Sequence, residues 1–451
     1  MQTETIGISF TTGSDPVRTV SPIDENHLLY GNFLGVQYVF KDALDPECLA
    51  GALYDLFFHY PALAGVYNQT NSSIIEYSDG IKLQVIEDIR GSFTDHCKFG
   101  TVQSDRSNFV DEPNRRDVLG GKANLTSCKL SIFKDGGCNL GLAISHVLVD
   151  AAGFHLLANQ LARFYTHRSN KTEAVASPAV YDLDVFTFGT DRSRSETIAA
   201  LDEADLKKPM KIRGLIGGLL KNIIVKALDG MAKNNRVVIH FTANDVARLK
   251  QKVLEESSED WISTNVALSA HFTKIMAMLM YGDKPKSKVQ IGQLLDLRGR
   301  YFDQNSDQQN DYVGNAILIH TSKPEFADGI QNTSRGSLAK WFKSNLSGIN
   351  ADYLKTRLDL IADCLRLGYS YPGLELKDPM IALNNQSKMP VYDLEFGGNA
   401  PQRVIPQDVG DNIMFFPTPD GGIEIYIRDI LNPKRQQLLL TNEWQAKIFD
   451  F

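Results

Sequence analysis

Nowhere in the 451 residues does an apolar run approach the roughly twenty residues that a membrane-spanning helix needs. The opening Met1-Gln-Thr-Glu-Thr-Ile6 lacks the basic-then-apolar layout of an export signal. A cytoplasmic protein without an integral membrane segment is therefore expected, and Asn-x-Ser/Thr triplets such as those at Asn68, Asn124 and Asn332 read as chance. Cysteine is sparse: Cys48, Cys97, Cys128, Cys138 and Cys364 are an odd, scattered set with no Cys-x-x-Cys. Free thiols in a reducing compartment fit this pattern better than disulfides or structural zinc. Positive charge is not in excess, with 47 Lys+Arg against 54 Asp+Glu and a formal net charge of −7. That argues against nucleic acid as the main partner. Also missing are a P-loop, a Gly-x-Ser-x-Gly elbow, a His-Glu-x-x-His zinc motif and a dinucleotide fingerprint.

What is present is an ordinary globular composition, 43% hydrophobic and 22% charged, on a chain long enough for two domains. Leu34–Phe40 reads as a strand, and Asp45-Pro46 as a capped helix start whose apolar face runs from Leu49 to Tyr60 before Pro61 stops it. Leu125–Phe133 and Cys138–Ser145, joined by Asp135-Gly-Gly137, form a predicted hairpin. Residues from Arg168 to about Lys211 turn polar and charged, so the expected organisation is a first domain over 1–185, a crossover over 186–230 and a second domain over 231–451. Within the crossover, Gly214–Leu228 is a basic amphipathic segment, read as a surface helix packed on its own protein. The second half brings a strand at Arg236–Phe241, helices capped by Thr242 and by Ser263-Thr264, and an alternating stretch Val289–Arg300. It closes with a hairpin, Asn412–Phe416 and Ile423–Arg428, turned by Asp420-Gly-Gly422, and a final helix. Strands and helices mix without a regular βαβ rhythm, which points to a mixed α/β fold rather than a Rossmann-type sheet.

One stretch organises the chemistry. Cys138 to Ser145 alternates as a strand with one strongly apolar face, runs into His146, and reaches Asp150 four residues later at the head of an apolar helix. A histidine at a strand end suits a general base, because its pKa lies close to neutrality. Such a short pattern also arises by chance, and a hydrogen-bonded structural histidine is the plain alternative. Asp150 has two readings at this point, a catalytic carboxylate or a strut paired with an arginine. Arg298 and Arg300, expected on one face of the Val289–Arg300 strand, are the natural partners, and such a pair would join the two halves. His155 and His271 fall inside predicted helices and read as packing residues.

The order of several short words resembles the BAHD acyltransferases. They are Ser21-Pro-Ile-Asp24, His59-Tyr-Pro-Ala-Leu-Ala-Gly65, His146-Val-Leu-Val-Asp150, Ser263-Thr264 with Leu268-Ser-Ala-His271, Leu297-Arg-Gly-Arg300, Tyr312-Val-Gly-Asn315 and Glu395-Phe-Gly397. The resemblance covers nearly the whole chain and implies two chloramphenicol-acetyltransferase-like domains, a pseudo-dimer with a channel between them. It implies His146 as general base and Asp150 as a structural residue tied to the Leu297–Arg300 segment. Glu395 and Gly397 would be structural support, with Ser263 and Thr264 on the coenzyme A surface. No metal and no permanently bound cofactor are implied; acyl-CoA is the co-substrate, a small-molecule alcohol or amine the acceptor, and a monomer the expected state.

The sequence departs from the family pattern at Ala151, where glycine is usual, and at Glu395, Gly398 and Asn399, where the family has aspartate, tryptophan and glycine. Two rival readings follow. One is a peptide-condensation or wax-ester/diacylglycerol-type enzyme of the same His-x-x-x-Asp superfamily, although those typically show a doubled histidine and Ser145 stands here instead. The other is a non-catalytic binding protein on the same fold.

Overall fold

Short-range chemistry starts most of the elements. The structure is a computed structural model that describes residues 2–9, 17–20, 24, 33–68, 73–75, 80–89, 92–99, 109–114, 117–118, 120–172, 189–204, 206, 236–301, 311–322, 325–369, 380–407, 413–428 and 433–451. The strands of the first half are β1 (Gln2–Ile8), β2 (Phe33–Phe40), β3 (Ile81–Ile89), β4 (Thr126–Phe133) and β5 (Cys138–Ser145). Those of the second half are β6 (Val237–Phe241), β7 (Lys288–Asp296), β8 (Ile317–Thr321), β9 (Met380–Asn385), β10 (Arg403–Pro406), β11 (Ile413–Pro417) and β12 (Ile423–Ile427). The helices used below are α1 (Pro46–His59), α2 (Ala151–Asn170), α3 (Ala243–Ser257), α4 (Thr264–Tyr281), α5 (Arg335–Ser347) and α6 (Ala351–Arg366).

Caps set the helix starts. Asp45 accepts a 2.6 Å hydrogen bond from the Cys48 N–H with Pro46 at the first helical position. Thr242 and Asp245 close a capping box at α3, and Ser263 caps α4 through the Val266 N–H.

Two mixed sheets carry the fold. The first has the order β1-β3-β4-β5-β2-β10, and the second runs β8-β7-β9-β11-β12-β6, with Glu325–Phe326 pairing at the start of β7. The hairpin β4–β5 forms around the glycine turn, with Ile132 opposite Cys138 and Thr126 opposite Ile144. One strand of the first sheet, β10, comes from the second half and pairs antiparallel with β2, so a division of the chain at residue 231 does not divide the sheets. The expected crossover helix Gly214–Leu228 lies outside the described residues.

The first core lies between one face of the first sheet and helices α1 and α2: Tyr38, Leu140, Leu142 and Ile144 meet Leu53, Phe57, Leu157 and Leu161. Each such side chain contributes about 1.5–3 kcal/mol by leaving water. Val313, Phe396, Phe416 and Tyr426 of the second half join the same core. A separate core gathers α3, α4 and α5 on the second sheet around Phe241, Leu268, Phe272 and Phe342.

Two local expectations change. β5 is buried on both faces, not only on its apolar one, and Asn139 and Ser145 are inaccessible. Small residues explain this: a Cβ added at Gly141 would lie 1.8 Å from the Phe109 carbonyl oxygen, so the 109–110 segment rests directly on the strand. The alternation of Val289–Arg300 also ends early. β7 stops at Asp296, and Arg298–Tyr301 forms a helical turn with the Tyr301 N–H bonded to the Leu297 carbonyl at 2.8 Å. Arg298 and Arg300 therefore do not share a strand face.

Candidate active site

β5 ends at Ser145, and the Leu148 N–H turns back to the Ser145 carbonyl at 2.9 Å, which places His146 in a tight turn between strand and helix. Its half-buried ring reaches across to the second half of the chain: Nδ1 lies 3.1 Å from Oδ1 of Asn315. Asn315 is fully buried; its Nδ2 donates to the His146 carbonyl at 2.8 Å and to the carboxylate of Asp24, itself inaccessible to water. Burial pulls the His146 pKa below its ordinary value, opposed by a backbone hydrogen bond at His146 itself, the charge of Asp150, the Asn315 contact and a backbone hydrogen bond at Val149. A histidine in this state is neutral near pH 7 and able to accept a proton.

Asp150 faces elsewhere. Its Oδ1 accepts from the Gly153 N–H at 2.9 Å, capping α2, and from Arg298 at 2.9 Å; Oδ2 accepts from Arg298 at 2.9 Å and from the Ala316 N–H at 2.8 Å. Four donors occupy the carboxylate's acceptor directions. Arg298 spends its remaining donors on the carbonyls of Tyr312 (3.0 Å) and Gly314 (2.9 Å) and on Asp296 (3.1 Å). Burial opposes its charge, but Asp150 and Asp296 hold its pKa above the ordinary arginine value. The loop that carries Asn315 is thus held by Arg298 at the Tyr312 and Gly314 carbonyls and by Asp150 at the Ala316 N–H. Gly153 permits the approach, since a Cβ there would fall 1.8 Å from the Val313 carbonyl oxygen.

The other expected residues spread out. Arg300 does not reach Asp150; it makes long contacts of 3.5 and 3.4 Å to the carbonyls of Leu346 and Ile349, because the helical turn at 298–301 directs it toward the end of α5. Ser263 and Thr264 form the start of α4, beside the exposed Trp261. Glu395 is exposed, and its carbonyl accepts from the Thr166 hydroxyl at 3.1 Å, while the Gly397 N–H donates to the same hydroxyl at 2.9 Å. Gly397 and Gly398 have φ of 63° and 85°, and Phe396 and Asn399 close the turn with hydrogen bonds of 3.0 and 3.1 Å. Tryptophan at 398, where the resembled family has one, would be strained in this turn. Phe396 packs edge-on against Phe40 and Tyr165, fastening the segment to α2.

Asn315 and Asp24 were not assigned roles from sequence. Both ended recognisable words, Tyr312–Asn315 and Ser21–Asp24, and that terminal polar residue was the available signal.

Comparison with known proteins agrees with this architecture. A family model described as "Transferase family" matches residues 217–436. The chain is 22% identical over 340 residues to hydroxycinnamoyl-CoA:piscidic acid hydroxycinnamoyltransferase of Actaea racemosa, covering 71% of this chain and 69% of that protein. TRI101 of F. graminearum, crystallised with ethyl coenzyme A, superposes with a TM-score of 0.71 at 14% identity, over 96% of this chain and 98% of that one. Vinorine synthase superposes with a TM-score of 0.66 at 16% identity, over 96% of each chain. These likenesses give the chain the mixed α/β fold of those solved structures. By sequence the chain is similar to the transferase family of that model and to the hydroxycinnamoyl-CoA-using enzyme named above.

Proposed function

We propose that the protein transfers an acyl group from an acyl-CoA thioester to a hydroxyl or amine of a small molecule, with His146 as general base and no covalent enzyme intermediate. The observation that carries this reading is the His146 ring itself: neutral through burial, engaged at Nδ1 by Asn315, and set where the two halves of the chain meet. Nε2 is left to take the acceptor's proton as its oxygen or nitrogen attacks the thioester carbonyl. The tetrahedral intermediate collapses with cleavage of the carbon–sulfur bond, and the departing thiolate takes the proton back from the imidazolium. Ser263 and Thr264 supply the coenzyme A surface. The Ser263 hydroxyl already caps α4, so the helix's leading N–H groups, which lack intrahelical acceptors, are what this end offers an anionic ligand. Acyl-CoA serves as co-substrate and not as a resident cofactor.

The test is thiol release by the purified protein supplied with acetyl-CoA or with an acylated carrier protein, each with mixed alcohols and amines. Release from the CoA thioester, lost by about two to four orders of magnitude in His146→Ala, is expected. Release only from the carrier protein would support the condensation reading instead, and undiminished turnover by His146→Ala would remove the base assignment.

A further inference from the structure

The hydrogen bonds of Asn315 leave its amide only one orientation. Two acceptors, the Asp24 carboxylate and the His146 main-chain carbonyl, face Nδ2, and each requires a hydrogen. A flipped amide would set its oxygen against both. Oδ1 must therefore be the atom at 3.1 Å from the imidazole, and an oxygen there requires the hydrogen to sit on Nδ1 of the ring. The tautomer with a lone pair on Nε2 follows from connectivity alone.

Asp24 extends this arrangement by one group. Its side chain is inaccessible to water, and the bond to Nδ2 polarises the amide so that Oδ1 becomes the stronger acceptor for a ring that turns positive during proton transfer. Asp150, the other carboxylate near the ring, is balanced by Arg298, which Asp296 also contacts.

We infer that Asn315 and Asp24 are positioning residues for the proposed acyl transfer: Asn315 fixes the ring tautomer and orientation, and Asp24, acting through that amide, stabilises the imidazolium. This rests on the assignment of His146 as base. The arrangement matches in kind the use of an asparagine or a carboxylate behind a histidine in nucleophilic triads, with the acid placed one group further out. The amide passes on polarisation and orientation; no proton leaves Nδ1. Asp24 and Asn315 stand 291 residues apart in sequence, so the arm also ties the first part of the chain to the loop that carries Asn315.

The experiment is steady-state kinetics with acyl-CoA from pH 5 to 9 on wild type, His146→Ala, Asn315→Ala and Asp24→Asn, with melting temperatures measured alongside. Asn315→Ala is expected to lower kcat by about 10²-fold with KM for acyl-CoA nearly unchanged. Asp24→Asn keeps an acceptor for Nδ2 but removes the charge. It should lower kcat by about 5–20-fold and move the acid limb of the rate profile to lower pH, because the imidazolium loses a stabilising anion. Neither shift follows from a purely structural role. A dead His146→Ala beside Asn315→Ala and Asp24→Asn of wild-type kcat and profile would overturn the arm and leave the base standing. An active His146→Ala would overturn both. If Asn315→Ala fails to fold, the near-isosteric Asp24→Asn decides: an altered limb supports the arm, an unchanged one refutes it.

Discussion

Removing the Arg298 guanidinium is the sharpest test of how the site is held. In Arg298→Met the apolar stem remains, but Asp150 loses two bonds of 2.9 Å and keeps only the Gly153 and Ala316 N–H groups. The carbonyls of Tyr312 and Gly314 lose their donor as well. Breaking one side of a buried ion pair costs about 3–5 kcal/mol, and each orphaned carbonyl adds about 1 kcal/mol or more, not fully additively. A loss of roughly 5 kcal/mol is therefore expected. Arg300→Met, whose bonds are long and partly exposed, should fall within about 0.5 kcal/mol of wild type. Urea unfolding followed by tryptophan fluorescence, with thiol release measured on the same samples, reads both quantities. Activity should fall with stability, because the guanidinium braces the loop that presents Asn315. Asp150→Asn combined with Arg298→Met should recover part of the stability, since no unpaired charge is then buried. An Arg298→Met protein as stable as Arg300→Met would refute the argument that this pair holds the two halves in register.

Further outcomes follow from the same geometry. Wild-type kcat/KM should rise with pH to a plateau, with an acid limb below the ordinary histidine value of about 6.5, since burial depresses the His146 pKa; a limb above 7 would contradict that environment. Gly153→Ala should lower both melting temperature and turnover, because its Cβ would collide with the Val313 carbonyl and push α2 from the Asn315 loop; a neutral outcome would mean that the loop moves freely. His155 and His271 are buried neutral, with pKa values pulled down to about 4 and about 3. For both, burial is the largest cause, and for His271 the Arg335 charge adds to it. The unfolded chain binds these protons near pH 6.5 and the folded one does not, so stability is complete above pH 6.5 and falls as pH drops toward 4. Urea midpoints measured between pH 7 and 4.5 check this, and a midpoint that stays level would refute it.

The second half of the site shows where sequence reasoning stopped. The strand-end position of His146 was legible because a hairpin announces itself through alternation and a glycine turn within about twenty residues. The pairing of Asp150 with the Leu297–Arg300 segment was legible as a word order, but the arginine was not: Arg298 and Arg300 differ only in where the helical turn after Asp296 points them. Glu395 and Gly397 looked like remnants of a motif, and the structure makes them a glycine turn docked on Thr166.

Composition, caps, turns and periodicity are properties of neighbours in the chain, and they determined the mixed α/β class, the helix starts at Asp45, Thr242 and Ser263, and the hairpin that ends at His146. Which nitrogen of that histidine is engaged, and by what, was decided only by tertiary structure. Its partner Asn315 lies 169 residues away in sequence, and the same amide donates to Asp24, 291 residues before it. Such contacts exist once two sheets and a shared core have brought distant loops together, and no local pattern encodes that distance. The strut, by contrast, was foreseeable in outline, because a carboxylate at a helix start and an arginine-bearing segment need each other to be buried at all.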